Sequence, residues 1–221
     1  MICLQSLAAV RGAVRGRISW PVIFIKAWAA VCSRHEVLRQ TWRSFPLPHI
    51  FQHSSTTAVV AVARRHQDQD WLFWARFRNP QTQPLPALQE ALNRFTNAPV
   101  ESVFHQQLQL ASLPAPLRRV IWWWNMNLAG EKRATRLGTF LLTTLAGNQT
   151  EIQHPPGFLT SNLTYGPLSE SGHSRVTLAY DHRLMDGLFV AERLKELEEE
   201  LNEAIFGELH TLTDNQARTA A

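Results

Sequence analysis

Val176-Thr177-Leu178-Ala179-Tyr180-Asp181-His182-Arg183-Leu184-Met185-Asp186-Gly187 passes from a strand-like run through a polar turn into a helix-like run. β-Branched and aromatic residues favour the extended backbone of Val176–Tyr180. Beyond Gly187, the spacing of Leu194, Leu197, Leu201 and Ile205 draws one apolar stripe along a helix over Leu188–Ile205. A strand feeding directly into a helix belongs to an α/β fold, and here it carries His182 to the end of a sheet. An imidazole held there can take a proton from a thiol or a hydroxyl.

The chain has 221 residues, 45% hydrophobic and 18% charged, which suits one α/β domain with a mixed sheet. Its formal charge of +4 is spread along the chain without a Lys/Arg block, so no nucleic-acid partner is expected. Cys3 and Cys32 are the only cysteines and no histidine has metal-ligand spacing, so neither a disulfide framework nor a metal is implied, and a cytoplasmic setting follows. Ile18–Cys32 is the most apolar window, but Pro21 and Lys26 interrupt it. It also falls short of the roughly 20 apolar residues a membrane helix needs, so it reads as a buried helix and not as a span.

Helices are predicted over Leu4–Val14 and Val22–Arg39, the second entered through Ser19 as N-cap and Pro21 in the first turn. Strands are predicted at Ile50–Gln52, Ala58–Ala63, Trp71–Arg78, Thr139–Leu145, Phe158–Tyr165 and Arg175–Tyr180. Between them, Leu88, Leu92 and Phe95 share one helical face, and Val100–Arg136 is helical but punctuated by Pro114, Pro116 and Gly130. Trp122, Trp123 and Trp124 cannot share one helix face, so at least one is expected to be exposed or at a contact between chains. His35, His49, His53, His66, His105, His173 and His210 are expected at the surface.

Asp181-His182-Arg183-Leu184-Met185-Asp186-Gly187 after an apolar strand resembles the Asp-His-Arg-x-x-Asp-Gly signature of the dihydrolipoyl acyltransferase component of 2-oxoacid dehydrogenase complexes. Chloramphenicol acetyltransferase is similar, with a second histidine where this chain has Asp181. Gly138-Thr139-Phe140-Leu141-Leu142-Thr143-Thr144-Leu145 resembles the family's Gly-Thr-Phe-x-x-Ser-Asn strand, Ala58–Ala63 its Gly-Val-Ala-Val strand, and Pro155-Pro156 its Pro-Pro loop. The resemblance implies a chloramphenicol acetyltransferase-like two-layer fold, a mixed sheet packed with helices and truncated at the N-terminus relative to the family. Residues 1–210 would form the acyltransferase domain, with residues 100–136 an atypical tryptophan-containing insertion and residues 211–221 a flexible tail.

The roles that the resemblance implies are specific. His182 is the general base for the thiol of coenzyme A or of the acyl acceptor, and Thr143 donates its hydroxyl to the oxyanion of the tetrahedral intermediate. Asp186 holds the histidine loop, usually through an arginine, for which Arg11, Arg15 and Arg17 are the candidates. Gly187 lets the backbone turn into the next helix, and Lys132, Arg133 and Arg136 are candidates to meet coenzyme A phosphates. A thiol titrates near pH 8.5 and histidine near 6.5, roughly, so neutral imidazole is available to deprotonate sulfur. Acyl-coenzyme A is then a substrate, no lipoyl attachment site lies in the chain, and the acceptor is a dihydrolipoyl-like thiol, such as one on another protein's lipoyl domain, or else an amine or hydroxyl acceptor. A homotrimer is implied, with histidine and hydroxyl meeting across subunits. The alternatives are a non-catalytic oligomeric scaffold of the same fold, or an acyltransferase acting on carrier-protein thioesters in lipid or natural-product assembly.

Overall fold

A computed structural model describes residues 1–155 and 157–220. The chain opens with β1 (Ile2–Cys3), α1 (Gln5–Ala13) and α2 (Trp20–Arg34), followed by a ribbon of β2 (Gln40–Arg43) and β3 (His49–Gln52). The hairpin β4 (Thr57–His66) and β5 (Gln69–Arg78) turns on Gln67 and Asp68, both at positive φ as a two-residue hairpin turn requires. Helices α3 (Leu85–Asn97), α4 (Val100–Val103), α5 (His105–Ser112), α6 (Ala115–Asn127) and α7 (Lys132–Leu137) lead to β6 (Phe140–Thr143) and β7 (Ser161–Tyr165). After these come β8 (His173–Ser174), β9 (Val176–Tyr180), α8 (Gly187–Glu200) and α9 (Phe206–Ala220).

The main sheet runs β5-β4-β6-β7-β9, with β4/β6 and β6/β7 parallel and the two outer pairs antiparallel. Side chains alternate across it. Phe140, Leu142, Val60, Leu163 and Leu178 face the main core under the helices, whereas Val59 and Leu141 join a small second cluster with Leu159 on the other face. Gly138 makes the entry to β6 possible: its φ is +93°, and a Cβ would stand 2.2 Å from Val59 Cγ2 of β4.

Helix α2 is apolar nearly all round because it is buried nearly all round. Val22, Ile23, Phe24, Ile25, Trp28, Val31 and Cys32 are enclosed between β4 and β6 on one side and α8 on the other. Lys26, the single charge of that window, pairs with Glu208 of α9. Among the described residues no helix is long and apolar enough to cross a membrane.

Four expectations are corrected. Helix α2 ends at Arg34, and Glu36–Arg39 form a separate tight turn. Ser19 stands at the N-cap position, but its hydroxyl donates to Gln89 Oε1 (2.8 Å) and caps nothing. A short strand, β1, precedes the first helix and pairs with β8. The segment from residue 211 is no loose tail: α9 continues to Ala220 because Leu209 is buried, Leu212 packs on the core, and Gln216 exchanges hydrogen bonds with the Arg15 backbone at 2.7 Å.

Leu197, Leu201, Ile205 and Leu209 are all buried, at four-residue intervals. An α-helix turns them by about 40° per interval off a straight line, so they would wind away from the core. A wide π-turn at Leu201–Ile205, with more residues per turn, takes back much of that drift.

Candidate active site

The turn after β9 is fixed at both ends. The Asp181 N–H donates to Thr160 O (3.0 Å) and the Leu184 N–H to Asp181 O (3.0 Å). Arg183 folds back on Asp181 with Nε at 2.8 Å from Oδ1 and Nη2 at 2.6 Å from Oδ2, and its guanidinium lies over the Trp42 ring. These charge-assisted bonds from Arg183 hold the Asp181 carboxyl below its usual range, with Arg133 adding a smaller electrostatic pull. At the far end Met185 is buried, and Asp186 Oδ1 accepts from the Phe189 N–H (2.8 Å), capping α8.

His182 rides on this braced turn with its ring in solvent. Among the described residues it makes no hydrogen bond, and its ring contact is with Tyr180 at 5.7 Å. Val37, Leu184, Met185 and Phe189 line the open recess of about 390 Å³ beside it. An imidazole held by its backbone, with both ring nitrogens free, can accept a proton from a substrate group.

Thr143 closes β6 on the sheet's second face, half-buried, and its hydroxyl has no partner among the described residues. Its neighbour Thr144 is spent on the main chain: Oγ1 donates to Tyr165 O (2.8 Å) and accepts from the Ala146 N–H (3.1 Å). Of the two threonines, Thr143 is therefore the one free to serve a ligand. The register separates it from His182. Thr143 is level with Thr164 and Thr177, whereas Tyr180, next to the histidine turn, is level with Ser161 and Phe140 at the opposite end. Three residue steps and two strand ladders put Thr143 and Tyr180 about 10 Å apart along the sheet and about 10 Å apart across it, with His182 two residues beyond.

Asp186 works as a helix cap, and no arginine pairs with it among the described residues. Arg11 instead donates Nε to Ile18 O (2.7 Å) and stacks on Trp20, the Arg15 backbone meets Gln216, and Arg17 lines a cavity of about 610 Å³ with Arg11, Thr144 and Tyr165. Gly187 needs no special backbone conformation, and a Cβ there would make an ordinary 3.5 Å contact with the Tyr180 hydroxyl.

The three basic candidates for phosphates separate. Arg133 is only 3% exposed: it donates to Thr41 Oγ1 and to Phe158 O (3.4 Å), so it braces the protein interior and cannot meet a dissolved anion. Burial first, then Arg43, brings its guanidinium down to about 10. Arg136 donates to Asn125 Oδ1 (3.0 Å) on the second face of the sheet, and Lys132 is exposed. Sequence reasoning missed the interior cluster of Arg43, Arg133 and His53, and His53 is buried rather than exposed. Among the described residues no cluster of His, Cys, Asp and Glu could hold a metal ion.

The architecture is that of the chloramphenicol acetyltransferase-like acyltransferase cores: a mixed sheet packed with helices. The chain is similar to dihydrolipoamide acetyltransferase of Azotobacter vinelandii (TM-score 0.62, 15% identity, 94% of this chain and 81% of that one). In that enzyme a serine, a histidine and an asparagine four positions after the histidine have been investigated for their role in catalysis. It is likewise similar to a truncated catalytic core of the 2-oxoacid dehydrogenase complex from Thermoplasma acidophilum (TM-score 0.61, 11% identity, 91% and 84%). A chloramphenicol acetyltransferase aligns with TM-score 0.51 at 12% identity, over 90% of this chain and 84% of that one. No family model matches the sequence, and no curated protein matches it by sequence.

Proposed function

We propose that the protein is an acyltransferase that moves an acyl group between coenzyme A and a thiol acceptor of the dihydrolipoyl type. The observation that carries this reading is the free imidazole of His182 on a turn braced by the Asp181–Arg183 pair and the Asp186 cap. The fold's likeness to acetyltransferase cores supports it. Thr143, His182 and Asp186 offer a hydroxyl, an imidazole and, four residues after that, a carboxylate, a set comparable to the serine, histidine and asparagine investigated in the Azotobacter enzyme.

In the proposed reaction a ring nitrogen of His182 takes the proton of the acceptor S–H. The thiolate adds to the thioester carbonyl, and the oxygen that becomes negative accepts a hydrogen bond from the Thr143 hydroxyl. Collapse breaks the bond to the departing sulfur, which recovers the proton from the imidazolium. Lys132, exposed and unpaired among the described residues, remains a candidate phosphate contact, with Arg136 beside it. Because Thr143 and His182 stand at opposite ends of one sheet, the reading places them in a shared site between protomers of a trimer.

Acetyl-coenzyme A and dihydrolipoamide test this directly. His182→Ala should slow thioester formation by roughly 10²–10⁴-fold. Thr143→Ala should slow it by roughly 10²–10³-fold, and Thr143→Ser should recover most of the loss. Turnover at the wild-type rate by His182→Ala overturns the reading.

A further inference from the structure

A large cavity lies between the edge strand β5 and helices α5 and α6, two strands away from β6. It measures about 740 Å³, within the range of small-molecule sites. Its walls are Leu72 and Trp74 of β5, Leu110 of α5, Ile121 and Trp122 of α6, and Phe158. Phe158 meets both tryptophans edge to face, Trp74 at 6.3 Å and Trp122 at 5.0 Å. Leu72 and Trp122 still show 54% and 42% of their surface to water, so the groove is an apolar hollow with no protein side chain filling it.

Two of the amides that line it are already engaged. Gln107 uses its amide as a substitute strand, accepting from Trp74 N–H (3.0 Å) and donating to Trp74 O (2.9 Å). Asn125 donates to Ile121 O and accepts from Arg136. The Gln107 amide occupies the β5 edge at Trp74, which argues against an added peptide strand there, and the aromatic and aliphatic walls suit an apolar chain. The rim is different. Arg76, Arg118 and Arg136 line it, and no aspartate or glutamate does. Their recorded hydrogen bonds go to neutral oxygens: Arg76 to Arg136 O (2.6 Å), Arg118 to Ala111 O (3.3 Å) and Arg136 to Asn125 Oδ1 (3.0 Å). Three cations with no carboxylate partner among the described residues suit an anion, and burial lowers the pKa of one of them, Arg76.

We propose that this groove binds a linear acyl chain with an anionic head, its tail against Trp74, Trp122 and Phe158 and its head at the arginine rim. Phe158 is also a wall of the small cleft formed with Tyr180, Asp181 and Arg183, so the bound chain would lie one side chain away from the histidine turn. Binding is read without turnover, so this inference and the acyltransferase reading stand or fall separately.

Sodium dodecanoate, titrated into the full-length protein below its micellar concentration, is the probe, with calorimetry and tryptophan fluorescence as readouts. Saturable binding of one dodecanoate per chain is expected, weakened about tenfold or more by Arg118→Gln, the loss of one charged hydrogen bond. Ala111→Phe, which fills the groove from its wall, should abolish it, and dodecyltrimethylammonium, with the same tail and the opposite charge, should not bind. Absence of saturable binding overturns the proposal. So does equal affinity for the cationic amphiphile, or binding that neither variant disturbs while circular dichroism shows both folded. A tryptophan signal that follows protein concentration and ignores dodecanoate would mean that a second copy of the chain covers the groove, and also overturns it.

Discussion

His53 shows how far a single residue's state depends on the chain around it. Its ring is 1% exposed, and burial, then Arg133, then Arg43, push its pKa down to about 4. Glu131 Oε2 lies 3.9 Å from Nδ1 and would favour a charge, but half of that carboxylate is in solvent, and burial together with the two arginines outweighs it. The folded protein therefore holds His53 neutral where the unfolded chain, titrating near 6.5, would protonate it. That contribution to stability is complete above about pH 6.5 and is lost as pH falls toward about 4, reaching roughly 3 kcal/mol at most. Urea unfolding between pH 7.5 and 4.5 should show this decline in the wild type, and a flatter profile over the same window in His53→Leu. Equal slopes in both would refute the assignment. Nothing near His53 in the sequence announces its burial, because one of the two cations that shape its titration, Arg133, arrives from α7, 80 positions later.

At the scale of elements, the turn between β9 and α8 was legible because its signals are local. β-Branched and aromatic residues mark the strand, Asp186 caps the helix through its own third residue, and Leu194 and Leu197 belong to the helix stripe. The arginine partner expected for Asp186 was not local, and it is absent among the described residues. This distinction can be measured. If Asp186 acts as a cap, Asp186→Ala should cost about 1 kcal/mol of stability, whereas Asp186→Asn, whose Oδ1 accepts the same Phe189 N–H, should cost only a few tenths. Thermal melts of the two variants decide: an asparagine variant as unstable as the alanine one would mean that the charge, not the acceptor, matters. The ends of helices were harder to read than their middles. Sequence pattern carried α2 to Arg39, but its stop at Arg34 depends on tertiary contacts: the His35 ring reaches Glu196 of α8 at 2.8 Å. The extent of α9 likewise rests on Gln216 reaching Arg15, a contact between the two ends of the chain.

For the whole molecule, the strand register decides how a site can be assembled. A hydroxyl that steadies an oxyanion and an imidazole that takes the attacking proton must both reach one carbonyl, each at hydrogen-bond distance. Thr143 and Tyr180, two residues before His182, stand about 10 Å apart along the sheet and about 10 Å across it, so one chain cannot bring Thr143 and His182 together without breaking β6, β7 and β9. Thr143 lies on the second face, where the apolar cover is thin, and His182 projects from a turn into solvent, so both are accessible to a neighbouring copy. If transfer occurs at a site shared in this way, each single variant should be nearly inactive, but His182→Ala and Thr143→Ala chains should complement each other. Co-refolded in equal amounts, they should form some sites with an intact histidine from one chain and an intact threonine from the next, about a quarter of the total for random mixing. Activity should then return to about that fraction of wild type, while separately folded variants mixed without exchange stay inactive. Failure of the co-refolded assembly to recover any activity, with its mixed composition verified by mass, would exclude a site shared between copies and leave Thr143 without a catalytic role.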